Sequence, residues 1–399
     1  MSVSTVPLSS PSTRRAASFG LAAVVPVAVL VGASAPSPFY PVLQDQLGFS
    51  TSTLTGIFAV YAGALLVALL VAGSLSDHVG RRPVLSGGLV ALAGSMLLFG
   101  AARSTGALLV ARVVQGVATG VLTATMAAAV ADLAPADRPV RGTLVNSAGP
   151  FVGLAIGALV GGFLLDRVPG VRGELFATVA AVHLLLAALV WALPETSPRH
   201  SEVWRSLRPR VGVPAGARSV FWRSVPALVA TWATGGLYLS LGAPLAGSVL
   251  HVTSHVGQAA VVALLMAAGA VAAFVAVGAR HPRNVALTGT TLLAVGSALT
   301  AGAVVDASAA LVAIGTVVAG AGFGSAFNGV LRALSPTVPT EQRGELFAAV
   351  YIVSYLAFGL PTIVAGLVVA HAGLPTTVVL YGATVAALAA TAALLRVRD

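Results

Sequence analysis

The sequence predicts an all-α integral membrane protein whose twelve transmembrane helices form two pseudo-symmetric six-helix bundles. Three observations carry this expectation. Hydrophobic residues make up 57% of the 399-residue chain and charged residues only 9%, with a mean hydropathy of +0.95. A soluble domain carries roughly 25% charged residues, so this chain cannot solvate a globular surface and needs lipid around it. Twelve apolar windows follow one another, each near the ~20 residues that a bilayer core requires. Arginine, finally, is concentrated in alternate joints between those windows.

The windows fall at 19–40, 53–73, 83–102, 106–131, 142–165, 175–193, 224–249, 257–277, 285–304, 309–331, 346–370 and 376–395. Most joints are short and carry turn residues. The long one, 194–223, divides the spans six and six, giving a tail at 1–18, a bundle at 19–193, a central loop, a second bundle at 224–395 and a tail at 396–399. Arg14 and Arg15, followed by an apolar run and Ala33-Ser34-Ala35, imitate a cleavable signal peptide. The run is longer than a signal core, and its removal would leave an odd number of spans, so it is kept as span 1.

All 22 basic residues are arginine. Arg103, Arg167 and Arg172 fall on one side of the predicted topology, Arg112 falls within span 4, and every other arginine falls on the side of the two termini. The positive-inside rule places that side in the cytoplasm, with the chain in the cell membrane. The formal charge of +10 is thereby a topology signal, and a nucleic-acid partner is not expected. Without lysine there is no P-loop to hold a nucleotide's phosphates. Without cysteine there is no disulfide framework or thiolate site. No HExxH motif, paired-histidine spacing or nucleophile triad is present, so neither catalysis nor a metal or other cofactor is expected.

Spans 4–5 and 10–11 resemble each other. Gly116 and Gly120 match Gly320 and Gly324 in spacing, Pro135 matches Pro339, Arg141-Gly142 matches Arg343-Gly344, and Gly157 matches Gly359. Duplicated halves around a midplane site are a frequent transporter architecture.

The most informative segment joins spans 2 and 3: Gly73-Ser74-Leu75-Ser76-Asp77-His78-Val79-Gly80-Arg81-Arg82. Its glycines permit a tight turn. Asp77 can accept from backbone N–H groups at a helix N-terminus, and Arg81 supplies a compensating charge. An anchoring loop would need only the arginines. This segment resembles the signature G-x-L-a-D-r-x-G-r-r of the major facilitator superfamily, with His78 where arginine is common. The resemblance implies the major facilitator fold and transport of a small molecule by alternating access. It further implies that Asp77 latches onto the start of span 11 near Glu345 and Leu346, and that Asp132 at the end of span 4 pairs with Arg81.

Arg112-Val113-Val114-Gln115-Gly116-Val117-Ala118-Thr119-Gly120 resembles the family's second signature, R-x-x-q-G-x-x-x-g. A charge inside a span costs at least ~2.5 kcal/mol on insertion scales and usually faces a polar interior. The resemblance implies a part in proton coupling for Arg112, Gln115 and Gly116, although no carboxylate lies in the middle of any predicted span. Gly149, Gly153, Gly157 and Gly161 recur every fourth residue, with Gly162 beside them, and so offer one face for close helix approach. The pattern resembles the family's antiporter signature, with Ala158 in place of proline, and implies export. Leu193-Pro194-Glu195-Thr196 resembles a further boundary motif with a terminating, capping role, while Gly278-Ala279-Arg280-His281 is at best a decayed copy of the 2–3 loop.

Polar and aromatic residues inside otherwise apolar spans are the candidates for a binding cavity: Gln115, Asn146, Tyr238, Asn328, Tyr351 and Tyr355. His183 reads better as a packed side chain. Without mid-span carboxylates the cavity suits neutral or anionic amphiphiles better than cations. The expectation is a monomeric proton-coupled exporter of small organic or drug-like molecules. The rivals are an importer of a sugar or organic acid, and a membrane receptor or scaffold that moves nothing.

Overall fold

The computed structural model describes residues 11–168, 170–200, 207–279, 281–339 and 342–397. Arg205, Arg280 and Arg398, which entered the topology argument, lie outside the described residues. The twelve long helices are α1 Pro11–Ser34, α2 Thr51–Ala72, α3 Arg81–Ala101, α4 Thr105–Leu133, α5 Val140–Arg167, α6 Arg172–Leu189, α7 Arg218–Pro244, α8 His255–Gly278, α9 Pro282–Val305, α10 Ala309–Leu334, α11 Arg343–Ala372 and α12 Leu374–Val397. Each is long and apolar enough to cross a bilayer. Twelve being even, both described ends lie on one face, the terminal face; the opposite one is the far face.

The helices overrun their apolar windows because hydropathy marks only the lipid-buried part. Polar residues at a helix end can continue the backbone hydrogen-bond ladder beyond the apolar window. Thus α1 begins at Pro11, inside the expected tail, and ends at Ser34 instead of residue 40; a turn and a short helix, Tyr40–Leu47, follow it. Similarly α7 begins at Arg218, within the expected central loop, and α12 runs to Val397.

The far-face starts of α2, α4, α8 and α10 are each capped by a serine. Ser50, Ser104, Ser254 and Ser308 accept the backbone N–H of Thr53, Ala107, Gly257 and Leu311 at 3.2, 3.2, 3.2 and 3.4 Å. These four helices occupy equivalent places in the two halves, so the caps repeat along with the glycines. A Cβ added at Gly116 or Gly120 would strike the Tyr61 and Leu65 carbonyls of α2; one at Gly320 or Gly324 would strike those of Leu265 and Gly269 in α8. In lipid, helix association rests on van der Waals contact rather than expulsion of water. The duplicated glycines therefore set α4 on α2 and α10 on α8 at backbone distance.

The halves meet along two helix pairs, α2 with α11 and α5 with α8. Large apolar side chains such as Val67, Leu98, Val271, Phe274 and Leu367 are exposed on the outer surface, as a lipid-facing surface requires.

Candidate functional site

On the terminal face, the 73–82 segment forms a short helical turn, Ser76–Val79, between α2 and α3. Gly80 sits at φ +121° in a conformation that side chains rarely adopt, and a Cβ there would lie 2.8 Å from a Glu195 oxygen. Arg81 is the hub: it donates to Asp77 at 2.5 Å, to Ser76 Oγ at 2.6 Å and to Asp132 at 3.4 Å. Arg81, Asp77 and Asp132 thus come together, but Asp77 does not cap a helix. That place belongs to Glu195, whose carboxylate accepts the backbone N–H of Arg81 at 2.8 Å and of Arg82 at 3.3 Å. Thr196 donates to Asp132 at 2.8 Å, and Ser197 donates to the Ser76 carbonyl at 2.8 Å. Burial pushes the Glu195 carboxyl up, but the backbone donors of Arg81, Ser197 and Arg82 and the nearby Arg199 charge outweigh it and hold the group below its ordinary value. A depressed carboxyl stabilises the hairpin in full above the ordinary carboxylate pKa and loses its hold only as pH falls through the folded value. Asp77 bonds to Arg81 of its own half, and among the described residues no hydrogen bond or ion pair joins it to Glu345 or Leu346 at the start of α11.

Toward the far face, the N-terminal half holds Arg112, 1% exposed. Its guanidinium donates to the Tyr40 hydroxyl at 2.7 Å, to Gln115 Oε1 at 2.6 Å and to the Ala33 carbonyl at 3.4 Å. Gln115 passes the network to α1 by donating to the Gly32 carbonyl at 2.9 Å. Four rings surround the cation, with Phe58, Tyr61, Tyr40 and Phe99 centroids 4.8–5.3 Å from it. Nη2 has no partner, and among the described residues no carboxylate pairs with the charge. His183 lies close by, fully buried, with Nε2 3.1 Å from the Ala28 carbonyl and its ring where a side chain at Gly32 would be. The result is a buried cation held by neutral groups of one bundle, and one of its rings, Tyr61, also packs in the seam cluster with Tyr351 and Tyr355.

The glycine face of α5 lies on α1. A Cβ at Gly153 or Gly157 would meet the Val27 and Val31 carbonyls, Gly161 faces Ala35 and Pro38, and Gly149 faces Val27 across a looser contact. Gly162 is turned the other way, onto the start of α8 at His255 and Ala259. A second far-face contact sits beside it. The Asp166 carboxylate accepts the backbone N–H of His255 at 2.8 Å and of Val256 at 2.9 Å, and pairs with His255 Nδ1 at 2.8 Å. On the other seam, Ser52 donates to the Gly366 carbonyl at 3.0 Å. Both bonds tie the halves together at their far ends.

The cavity candidates separate. Asn146 donates to the Ala127 carbonyl of α4 at 2.9 Å, within its own half. Tyr238 is turned into the C-terminal half, where its hydroxyl meets Thr300 and Thr316 at 3.1 Å each. Asn328, Tyr351 and Tyr355 do reach the seam. Asn328 donates to Ser147 of the other half at 3.1 Å, and the two tyrosines pack against Tyr61, Leu65 and Leu69 of α2.

The sequence model of the Major Facilitator Superfamily matches residues 22–281. The chain belongs to that superfamily. An uncharacterised MFS-type transporter of Mycobacterium tuberculosis, Rv1250, is 34% identical over 159 residues, which is 39% of this chain and 27% of that protein. Multidrug resistance protein 1 of Bacillus subtilis is 27% identical over 169 residues, 42% of this chain and 43% of its own length. The chain thus spans less than half the length of these curated relatives. Likeness of fold extends further: a bacterial homologue of the human lysosomal transporter Spinster, inward-facing and unoccupied, superposes with a TM-score of 0.76 at 17% identity, covering 98% of each chain.

Within this major facilitator chain, several participants were not singled out from sequence, among them Tyr40, Ser52, Ser147, Asp166, His255 and Trp232, which packs on Tyr355. Ser147 and Asp166 are polar residues of kinds common at helix ends and faces, and nothing local marks them. Trp232 does carry a signal. Tryptophan favours the two membrane interfaces, whereas this one lies in the middle of α7.

Proposed function

We propose that the protein is a secondary active transporter of the cell membrane, with its terminal face in the cytoplasm, exporting small organic molecules in exchange for protons by alternating access. The observation that carries this reading is the pair of seams, α2–α11 and α5–α8, hydrogen-bonded at the far end while the Asp77 carboxylate is held by Arg81 of its own half. We read these far-end bonds as those of a state closed to the outside, whose counterpart forms when Asp77 engages α11 and the Asp166 contact parts. The arginine distribution supports the orientation. The glycine face of α5 and the Bacillus relative's name, a multidrug resistance protein, support export. Arg112 supports proton coupling, since a cation held by neutral groups alone raises the cost of any further positive charge nearby and responds to changes in its hydrogen-bond partners.

The test is flux in an efflux-deficient host expressing the chain. Candidate compounds should accumulate less in expressing cells, and a protonophore that collapses the gradient should abolish the difference. Higher accumulation in expressing cells would instead support a metabolite importer.

A further inference from the structure

Exchange against protons needs a group inside the membrane that binds and gives up a proton near neutral pH. Arginine keeps its proton throughout that range, and a tyrosine hydroxyl loses its own only near about pH 10. Histidine is the side chain whose ordinary titration falls between about pH 5 and 8. In the described spans, every aspartate, glutamate and histidine lies at one end of its helix, with one exception: His183, in the middle of α6. The other ionisable groups inside the spans are Arg112 and tyrosines.

The structure leaves the His183 ring as an open base. The residue is fully buried, and a Cβ at Gly32 would meet both its ring and Met96 of α3. A carbonyl oxygen only accepts, so Nε2, 3.1 Å from the Ala28 oxygen, carries the ring hydrogen. Nδ1 then presents a bare lone pair, and it has no hydrogen-bond partner. Buried polar atoms in that position are few in folded proteins. The helices packed on α6 are α3, α1 and α5. Their ionisable residues lie at helix ends: Arg81 and Arg82, Arg14 and Arg15, and Arg141, Asp166 and Arg167. On α6 itself, Arg172 and Glu174 stand at the far end, so Arg112 of α4 is the one other charge in the interior of this bundle.

One stretch of α1 joins the two sites. Ala28 accepts from His183, Gly32 from Gln115, and Ala33 from Arg112, while Gln115 also accepts from Arg112 at 2.6 Å. The close contacts of Gly153 and Gly157 of α5 fall on Val27 and Val31 of the same stretch. A charge placed on His183 therefore acts on Arg112 and on the packing of α1 together.

We propose that His183 carries the exchanged proton. It takes the proton on Nδ1, forming one N–H bond and breaking none, when the 27–33 stretch moves and water reaches the ring. In the arrangement seen here the imidazolium would find no acceptor for that N–H and would add a second cation beside none of opposite sign, so this is the proton-free form. The proposal rests on the exchange reading above and adds the residue that performs it.

The test follows the proton itself. Full-length protein labelled with nitrogen-15 histidine and carbonyl-labelled alanine is placed in liposomes, and its imidazole nitrogens are read by solid-state NMR from about pH 5 to 8. The His183 signal is assigned in the wild type by its bond to an alanine carbonyl, which no other described histidine ring makes. Nδ1 should pass from bare to protonated within that range; a ring that stays neutral throughout would overturn the proposal. His183→Gln keeps an N–H for the Ala28 carbonyl and removes the base. In the accumulation assay above it should still let compounds run down their own gradient, but lose all response to the protonophore. His371→Gln, at an exposed histidine, should behave as the wild type in both measurements. Gradient-driven export by His183→Gln would overturn the proposal and leave the exporter reading standing. Titration of His183 in a wild type whose flux ignores the gradient would uphold the proton site and remove the exchange reading. Should His183→Gln not fold, the wild-type titration alone decides.

Discussion

Arg112→Met should abolish transport, lowering flux by at least about tenfold, while leaving the protein folded and as heat-stable in detergent as the wild type. Stability and function separate here because of the charge state of the site. The guanidinium is fully buried, is held by a tyrosine hydroxyl, an amide and a backbone carbonyl, and has one nitrogen without a partner. Hydrogen bonds to a charged group are worth about 1.5–3 kcal/mol, but burying an ion without a counter-ion costs several kcal/mol. An unbranched apolar side chain of similar length removes both terms and keeps the packing among the four rings. A site kept at such small net benefit to the fold is maintained for its charge. Arg112→Lys should fail as well, because an ammonium cannot donate to Tyr40 and Gln115 from one plane. Normal transport by Arg112→Met would reduce the motif to packing, and loss of folded protein would make it a structural element.

Asp166→Ala should shift the conformational balance toward the outward-open state by a factor of ten or more, with little change in overall stability. One carboxylate there serves two backbone donors at the start of α8 and the His255 ring. The bonds cross the seam at its far end, so they exist only while that end is closed. A factor of ten corresponds to about 1.4 kcal/mol, less than one good hydrogen bond to a charged acceptor contributes when shielded from water. The partial exposure of both side chains, 21% for Asp166 and 34% for His255, keeps the expected figure near that lower bound. Maximal flux should fall, because a step that requires far-face closure becomes unfavourable. An unchanged distance distribution across the far seam would show that the contact does not hold the closed state.

Much of the architecture was legible because its determinants are local. Apolar length gives the spans, arginine placement gives their expected direction, and the duplicated glycines of α4 and α10 mark equivalent backbone contacts in the two halves. The 73–82 hairpin was legible for the same reason: Gly80 needs its positive φ, and Asp77 and Arg81 are one turn apart. The residue that caps α3 was not assigned to it, since Glu195 reaches Arg81 from 114 positions away and was read as ending its own helix. Tyr238 and Asn146 show the same limit from the other side. A polar group inside a span is visible in sequence, but whether it turns toward the seam or into its own bundle is decided by helix rotation. Small residues on several neighbouring helices set that rotation together.

The account rests on two six-helix bodies that pivot about a common seam, and the cysteine-free chain suits a direct test. Spin labels would be attached in pairs, at Val168→Cys and Thr253→Cys on the far face, and at Val79→Cys and Val211→Cys on the terminal face. Distances within each pair would then be measured by pulsed electron resonance in nanodiscs, with and without Asp166→Ala. The expected result is reciprocity: wherever the far pair lengthens, the terminal pair shortens. Distances that change in the same sense on both faces, or that never change, would contradict the pivot.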